Sequence, residues 1–278
     1  MVSIYTNLDS KYNTDICLLG DIHYSSNFNL KVFDKIIKNI NINRPKYICI
    51  VGDTIDYTEI EDINEIDKLY EFISTLSKIA KVIISLGNHD YTSIKNKDKE
   101  YKYPKKFIKN IKKIDNVILL DNEIYVDGDI RFIGYTESFE AYYNERCNGN
   151  IVINELNDLL KDIDNKKYNI LLSHNPLHLT LDSVYNNIKN YKKLDLILSG
   201  HTHNGMIPNF IKTNNMLITP SKKWFKKDGR GHMVKGMVDI IVTGGITKLS
   251  ERAGVFHLFN FIYKSNIDYI KVGGKAKK

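Results

Sequence analysis

Cysteine is scarce in this chain. Cys17, Cys49 and Cys147 are the three that occur, and no two of them form a Cys-x-x-Cys pair. That excludes a disulfide framework and argues against a thiolate-bound structural zinc. Two of the three fall inside apolar strand-like runs, the pattern of buried free thiols in a reducing compartment. Long hydrophobic stretches are also missing. No run of about eighteen apolar residues exists to cross a membrane, and Met1 to Asn13 has no apolar leader segment, so a cytoplasmic location is expected. Blocks of like charge are absent as well. The net charge is +7 with a pI near 9.0, but Lys is scattered over most of the chain. This describes a solvated basic surface more than a nucleic-acid arm, and no dedicated nucleic-acid motif is present. The terminal Gly273-Gly274-Lys275-Ala276-Lys277-Lys278 reads as a frayed basic tail, too short for a polybasic anchor of about four to eight charges. No repeat, low-complexity tract or linker divides residues 1–272, which are expected to form a single domain.

What is present suits an ordinary globular core: 278 residues, 42% hydrophobic and 26% charged. Strand-like runs at Asp15–Leu19, Tyr47–Val51 and Lys81–Leu86 alternate with segments of helical apolar spacing. The first of these helices has Leu30, Val32, Phe33, Ile36, Ile37 and Ile40 on one face, with Asn29 as N-cap and Arg44-Pro45 as its end. The second has Ile66, Leu69, Tyr70, Ile73, Leu76 and Ile79, with Asn64 as cap. Successive strand–loop–helix units predict a parallel sheet flanked by helices.

Beyond a polar Tyr91–Tyr103 loop, a short helix is expected over Pro104–Lys113. Strands are expected at Val117–Leu120, Ile124–Val126 and Ile130–Tyr135, and a second polar loop over Gly134–Asn150. A helix at Ile151–Ile163 and strands at Tyr168–Ser173 and Leu194–Ser199 follow. Met216–Ile218, Val238–Val242, Val255–Phe259 and Ile267–Val272 complete the strands. The expected fold class is α/β, with two packed sheets and helices on the outer faces.

The chemistry collects where strands end. Gly20-Asp21-Ile22-His23, Gly52-Asp53-Thr54-Ile55-Asp56, Gly87-Asn88-His89-Asp90, Ser173-His174-Asn175-Pro176 and Gly200-His201-Thr202-His203 hold five of the eight histidines. Ligands of open α/β sheets bind outside the carboxyl ends of the strands, so topology brings these segments together. Residues two apart in extended backbone project to one side, so Asp21 with His23, and His201 with His203, can each present a pair of ligands. Carboxylate, imidazole and amide oxygen without thiolate suit Mn²⁺, Fe or Zn²⁺ in an open geometry. Two divalent ions about 3.5–4 Å apart, sharing Asp53, would activate a bridging hydroxide for in-line attack on phosphorus.

In order, these segments resemble the calcineurin-like metallophosphoesterase superfamily, whose pattern is D-x-H, G-D-x-x-D, G-N-H-[DE], a lone His and G-H-x-H. The match runs from Asp21 to His203, about two-thirds of the chain. The resemblance implies a four-layer α/β/β/α sandwich with two mixed sheets. It implies one metal held by Asp21, His23, Asp53 and His203, and a second held by Asp53, Asn88, His174 and His201. It also implies a catalytic His89, stabilising charge or protonating the leaving oxygen, with Asp56 orienting it. Tyr57 stands where the phosphoprotein phosphatase branch has Arg, which argues against a protein phosphatase. Gly87–Tyr91, Ser173–Pro176 and Ser199–His203 are most similar to the branch of UDP-2,3-diacylglucosamine-hydrolase-like phosphoesterases. That branch continues after its last histidine as G-G-Q, where this chain has Asn204-Gly205-Met206.

The expectation is therefore phosphodiester hydrolysis of a small-molecule or nucleotide-like substrate. A phosphomonoesterase or nucleotide pyrophosphatase is the first alternative, and a non-catalytic basic nucleic-acid binder the second. The basic, aromatic segment Ser221–Lys235 supplies candidate substrate contacts in Lys223, Trp224, Arg230 and His232, and Asn27 follows His23 in the same role. Asp90 is read as a turn cap. His178 reads as a surface or partly buried side chain, and His257 as a core or edge one.

Overall fold

The computed structural model describes residues 1–56, 59–60, 66–90, 105–143, 148–207, 211–217, 226–247 and 265–273. Within them the chain runs β1 (Val2–Leu8), β2 (Thr14–Leu19), α1 (Lys31–Asn43), β3 (Tyr47–Val51), α2 (Asp67–Ser77) and β4 (Lys81–Ser85). It continues through α3 (Lys105–Ile111), β5 (Val117–Leu120), β6 (Ile124–Asp127), β7 (Ile130–Tyr135), α4 (Phe139–Tyr143) and α5 (Asn148–Leu159). The last elements are β8 (Tyr168–Ser173), α6 (Asp182–Tyr185), β9 (Leu196–Ser199), β10 (Gly231–Lys235), β11 (Val238–Val242) and β12 (Asn266–Val272).

The strands form two six-stranded sheets, ordered β1-β12-β2-β3-β4-β5 and β10-β11-β9-β8-β7-β6. Both are mixed. β2 to β5 are parallel, with β12 antiparallel to β2. In the second sheet β7, β8, β9 and β11 are parallel, and β6 and β10 close the edges antiparallel.

Alternation along the strands builds the layers. In β3, Ile48 and Ile50 face a core shared with Phe33, Ile36 and Ile40 of α1 and Leu69, Phe72, Ile73 and Leu76 of α2. Tyr47, Cys49 and Val51 face the opposite way, onto Phe132, Ile170, Leu172 and Leu198 of the second sheet. That sheet's outer face, with Ile133, Leu171, Ile197 and Ile240, packs on Val152 and Leu156 of α5 and Val184 of α6. Strand residues buried on both faces need apolar side chains throughout, which is why the parallel strands read as continuous runs. Each such side chain contributes about 1.5–3 kcal/mol. The result is the expected α/β/β/α sandwich.

Some local expectations shift. The N-cap position of α1 is Leu30, one residue after the expected Asn29, whose Oδ1 accepts the Lys31 N–H at 3.2 Å. Arg44 ends the helix in a left-handed conformation, φ 44°, ahead of Pro45. The supposed loop Gly134–Asn150 contains α4, five residues too short to display a helical period. Met216 is buried but not in a strand: its N–H donates to Lys226 O, and Leu217 N–H to Gly205 O. β1 and β10 are edge strands with half of their side chains in water, so neither shows the apolar run that marks the central strands. Asn64, Lys223, Trp224, His257 and the strand expected at Val255–Phe259 lie outside the described residues.

Candidate metal centre

Five loops meet at the carboxyl ends of the strands. β2, β3 and β4 deliver Asp21 with His23, Asp53 with Asp56, and Asn88 with His89. β8 delivers His174, and β9 delivers His201 with His203. Three loops thus come from one sheet and two from the other. The chain turns sharply out of β2, β3 and β9. Asp21, His23, Asp53, His201 and His203 all have left-handed backbones, with φ of 50°, 47°, 49°, 69° and 44°. Such conformations are uncommon for residues with a Cβ and persist only where the surroundings enforce them. Here hydrogen bonds do so. His23 N–H donates to Asp53 O at 2.8 Å, and His201 N–H donates to both Asp21 carboxylate oxygens at 3.0 Å. Asp90, fully buried, accepts from Thr54 N–H, Ile55 N–H and Gly87 N–H at 2.9, 3.0 and 2.7 Å, tying the β3 and β4 loops together.

The side chains converge in two sets. Asp21, His23 and His203 form one group whose ligand atoms lie within 4.8 Å of one another, and Asp53, His174 and His201 form another. His23 Nε2 is 3.2 Å from His203 Nε2 and 3.9 Å from Asp21 Oδ1. In the second set His174 Nε2 is 3.0 Å from Asp53 Oδ2 and 3.2 Å from His201 Nδ1. Atoms bound at about 2.0–2.2 Å around one ion stand about this far apart. Asp53 Oδ2 also lies 3.6 Å from His23 Nε2, so it faces both sets. Asn88 Oδ1 is buried with no hydrogen-bond partner among the described residues. A Cβ added at Gly52 would come within 2.7 Å of His174 Nδ1. A buried orphan oxygen, two carboxylates and four imidazoles make a donor set that fits divalent ions.

Charge within the cluster is unevenly held. Burial pushes the Asp21 carboxyl up. Burial acts the same way on Asp53, but His174 and His89 outweigh it and hold that carboxyl well below its usual range. Burial lowers His174, and Asp53 more than reverses this, carrying it up to about 10. His23 is driven by burial down to about 3, and His201 is also pushed well down by burial and His174. His89 is raised to about 9: burial works against it, while Asp53 and Asp56 prevail. Its Nδ1 lies 3.2 Å from Asp56 Oδ2, and its ring meets His23 edge-on at 4.7 Å. His23, Asp56 and His89 also satisfy the spacing of a metal triad.

The remaining sequence candidates are dispersed. Asn27 is exposed on the turn after His23. Arg230 is buried and Nη1 donates to Ile207 O at 3.4 Å. His232, on edge strand β10 and in register with Ile241 of β11, turns its ring to Asp239 at 2.6 Å. Sequence reasoning passed over Glu137 and Tyr142, which with Asn88, His174 and Asn175 line a cavity beside the second set. Neither belongs to a recurring motif, and no periodic signal marked their segment.

The family model of the calcineurin-like phosphoesterases matches residues 14–205. The chain belongs to that family. Among curated members, it is 29% identical over 199 residues to the uncharacterized metallophosphoesterase Cj0846 of Campylobacter jejuni, covering 71% of this chain and 46% of that protein. It is 26% identical over 165 residues to an uncharacterized metallophosphoesterase of Aquifex aeolicus, covering 59% and 53%. This calcineurin-like chain therefore spans about half the length of the curated relatives it matches. A dimetal phosphatase from Danio rerio superposes with a TM-score of 0.51 at 12% identity, over 86% of this chain and 90% of that one; the likeness is one of fold. Among the described residues, no helix is long and apolar enough to cross a membrane.

Proposed function

We propose that this chain is a dinuclear, metal-dependent phosphoesterase acting on phosphodiesters. The observation that carries the reading is the position of Asp53 Oδ2, 3.0 Å from His174 Nε2 and 3.6 Å from His23 Nε2, where one carboxylate can serve two ions. Asp21, His23, Asp53 and His203 would hold the first, and Asp53, Asn88, His174 and His201 the second. When bound, such ions supply Lewis acidity toward phosphoryl oxygens and make water acidic enough to react at neutral pH. Mn²⁺, Fe and Zn²⁺ all suit these donors.

Against the effect of burial, Asp53 and Asp56 raise the His89 imidazole, whose Nδ1 stands 3.2 Å from Asp56 Oδ2. It is suited to donate to a phosphoryl oxygen and to protonate the departing alkoxide. Asp56, 3.2 Å from Nδ1, would orient the ring and leave Nε2 as the donor. The sequence likeness to UDP-2,3-diacylglucosamine-hydrolase-like enzymes supports the hydrolytic chemistry; a lipid-linked substrate is not part of the proposal. A soluble, cytoplasmic enzyme is.

The test is hydrolysis by Mn²⁺-loaded protein of bis-p-nitrophenyl phosphate beside a monoester and a pyrophosphate. The diester is expected to be cleaved fastest, and Asp53→Asn to abolish cleavage. Wild-type rates in fully stripped protein, or a preference for the monoester, contradict the reading.

A further inference from the structure

Imidazoles that bind metals give their second ring nitrogen to an oxygen partner, which fixes both tautomer and ring direction. His174 obeys this rule. Its Nδ1–H donates to Val51 O at 2.8 Å, and Nε2 is turned to Asp53 Oδ2. His201 is reversed: Nδ1 faces His174 Nε2 at 3.2 Å, so Nε2 is the outward nitrogen. The group it meets is the Tyr142 hydroxyl, 3.4 Å away. The Tyr142 ring also stands edge-on to the imidazole, with centroids 5.6 Å apart and planes at 79°. Tyr142 is carried by α4, outside every metal-ligating segment, and its side chain lines the cavity that Asn88 and His174 share.

We propose that Tyr142 is a positioning residue for the ion held by Asp53, Asn88, His174 and His201. Its oxygen accepts the Nε2–H of His201, which keeps the Nδ1 lone pair directed at the metal. Without that acceptor the Nδ1–H tautomer, which cannot ligate, competes. The inference rests on the dinuclear reading above. It extends that reading because it predicts an asymmetry: His201, the ligand that Tyr142 meets, belongs to the second ion.

Tyr142→Phe keeps the ring and removes the acceptor. Equilibrium dialysis against Mn²⁺, with bound metal counted by mass spectrometry, reads each site in turn. One equivalent is expected to bind as in wild type, and the other about 10–100-fold more weakly, as loss of such partners typically produces. kcat should recover at saturating Mn²⁺. Two equivalents bound as tightly as in wild type overturn the proposal, as does a change confined to KM at saturating metal, which marks a substrate contact. Wild-type protein that takes up fewer than two equivalents overturns the dinuclear reading itself. Independently of any variant, imidazole nitrogen NMR of the Zn²⁺-loaded wild type should show His201 protonated at Nε2. A proton on Nδ1 contradicts the proposal.

Discussion

The two oxygens of Asp53 serve different neighbours. Oδ1 accepts the His89 N–H at 2.7 Å, while Oδ2 faces His23 and His174. One side chain thus sets the spacing between the proposed metal pair and the proposed acid. Three expectations follow at this scale. His89→Ala should leave metal content at the wild-type level and lower kcat by about 10²–10⁴, the usual contribution of a positioned proton donor; parallel kinetics and metal counting check it, and equal loss of metal contradicts it. Asp90→Ala strips three buried N–H groups of their acceptor. A buried donor left without a partner costs about 1–3 kcal/mol, so denaturant melts should show a loss of several kcal/mol. Gly87→Ala directs a methyl into the Asp53 carboxylate, and should weaken metal uptake even where the protein still folds, as dialysis will show.

At the scale of elements, legibility followed burial. β3, β8 and β11 are apolar on both faces and stand at the expected boundaries. The glycines and acidic or histidine residues that follow these strands were equally plain. β1 was not: Tyr5 is 64% exposed, and its polar neighbours hide the strand. Tyr142 was hidden for another reason, since α4 is a single turn and a half with no period to detect. The double duty of Asp90 was also beyond sequence, because its partners lie 35 and 36 residues away.

β12 carries a further consequence. Asp268 is fully buried in it, and burial lifts its carboxyl to about 7, against the opposing hydrogen bonds of Thr243 and Asn266. A carboxyl whose folded pKa is raised favours the folded state below the unfolded pKa, near 4. That contribution is lost as pH rises through about 7. Asp268→Asn, which keeps an acceptor for the Asn266 amide, is therefore expected to raise Tm at pH 8 and to lose the advantage by pH 5. A pH-independent difference in thermal melts contradicts this origin.

On the scale of the molecule, the site straddles the seam between the two sheets. Residues from β2, β3 and β4 complete it on one side, and those from β8 and β9 on the other. Ions bound there would tie the sheets together and stabilise the folded chain by mass action, about 2.7 kcal/mol per site at a hundredfold excess over Kd. Thermal melts should accordingly shift upward by several degrees with added Mn²⁺ and downward with chelator. The central claim is that two ions share Asp53, and anomalous diffraction from Mn²⁺-loaded crystals tests it most directly. The account predicts two peaks about 3.5–4 Å apart, flanking Asp53 Oδ2, one beside Asp21, His23 and His203 and one beside Asn88, His174 and His201. A single peak, or a peak held by Asp56 and His89, would contradict it.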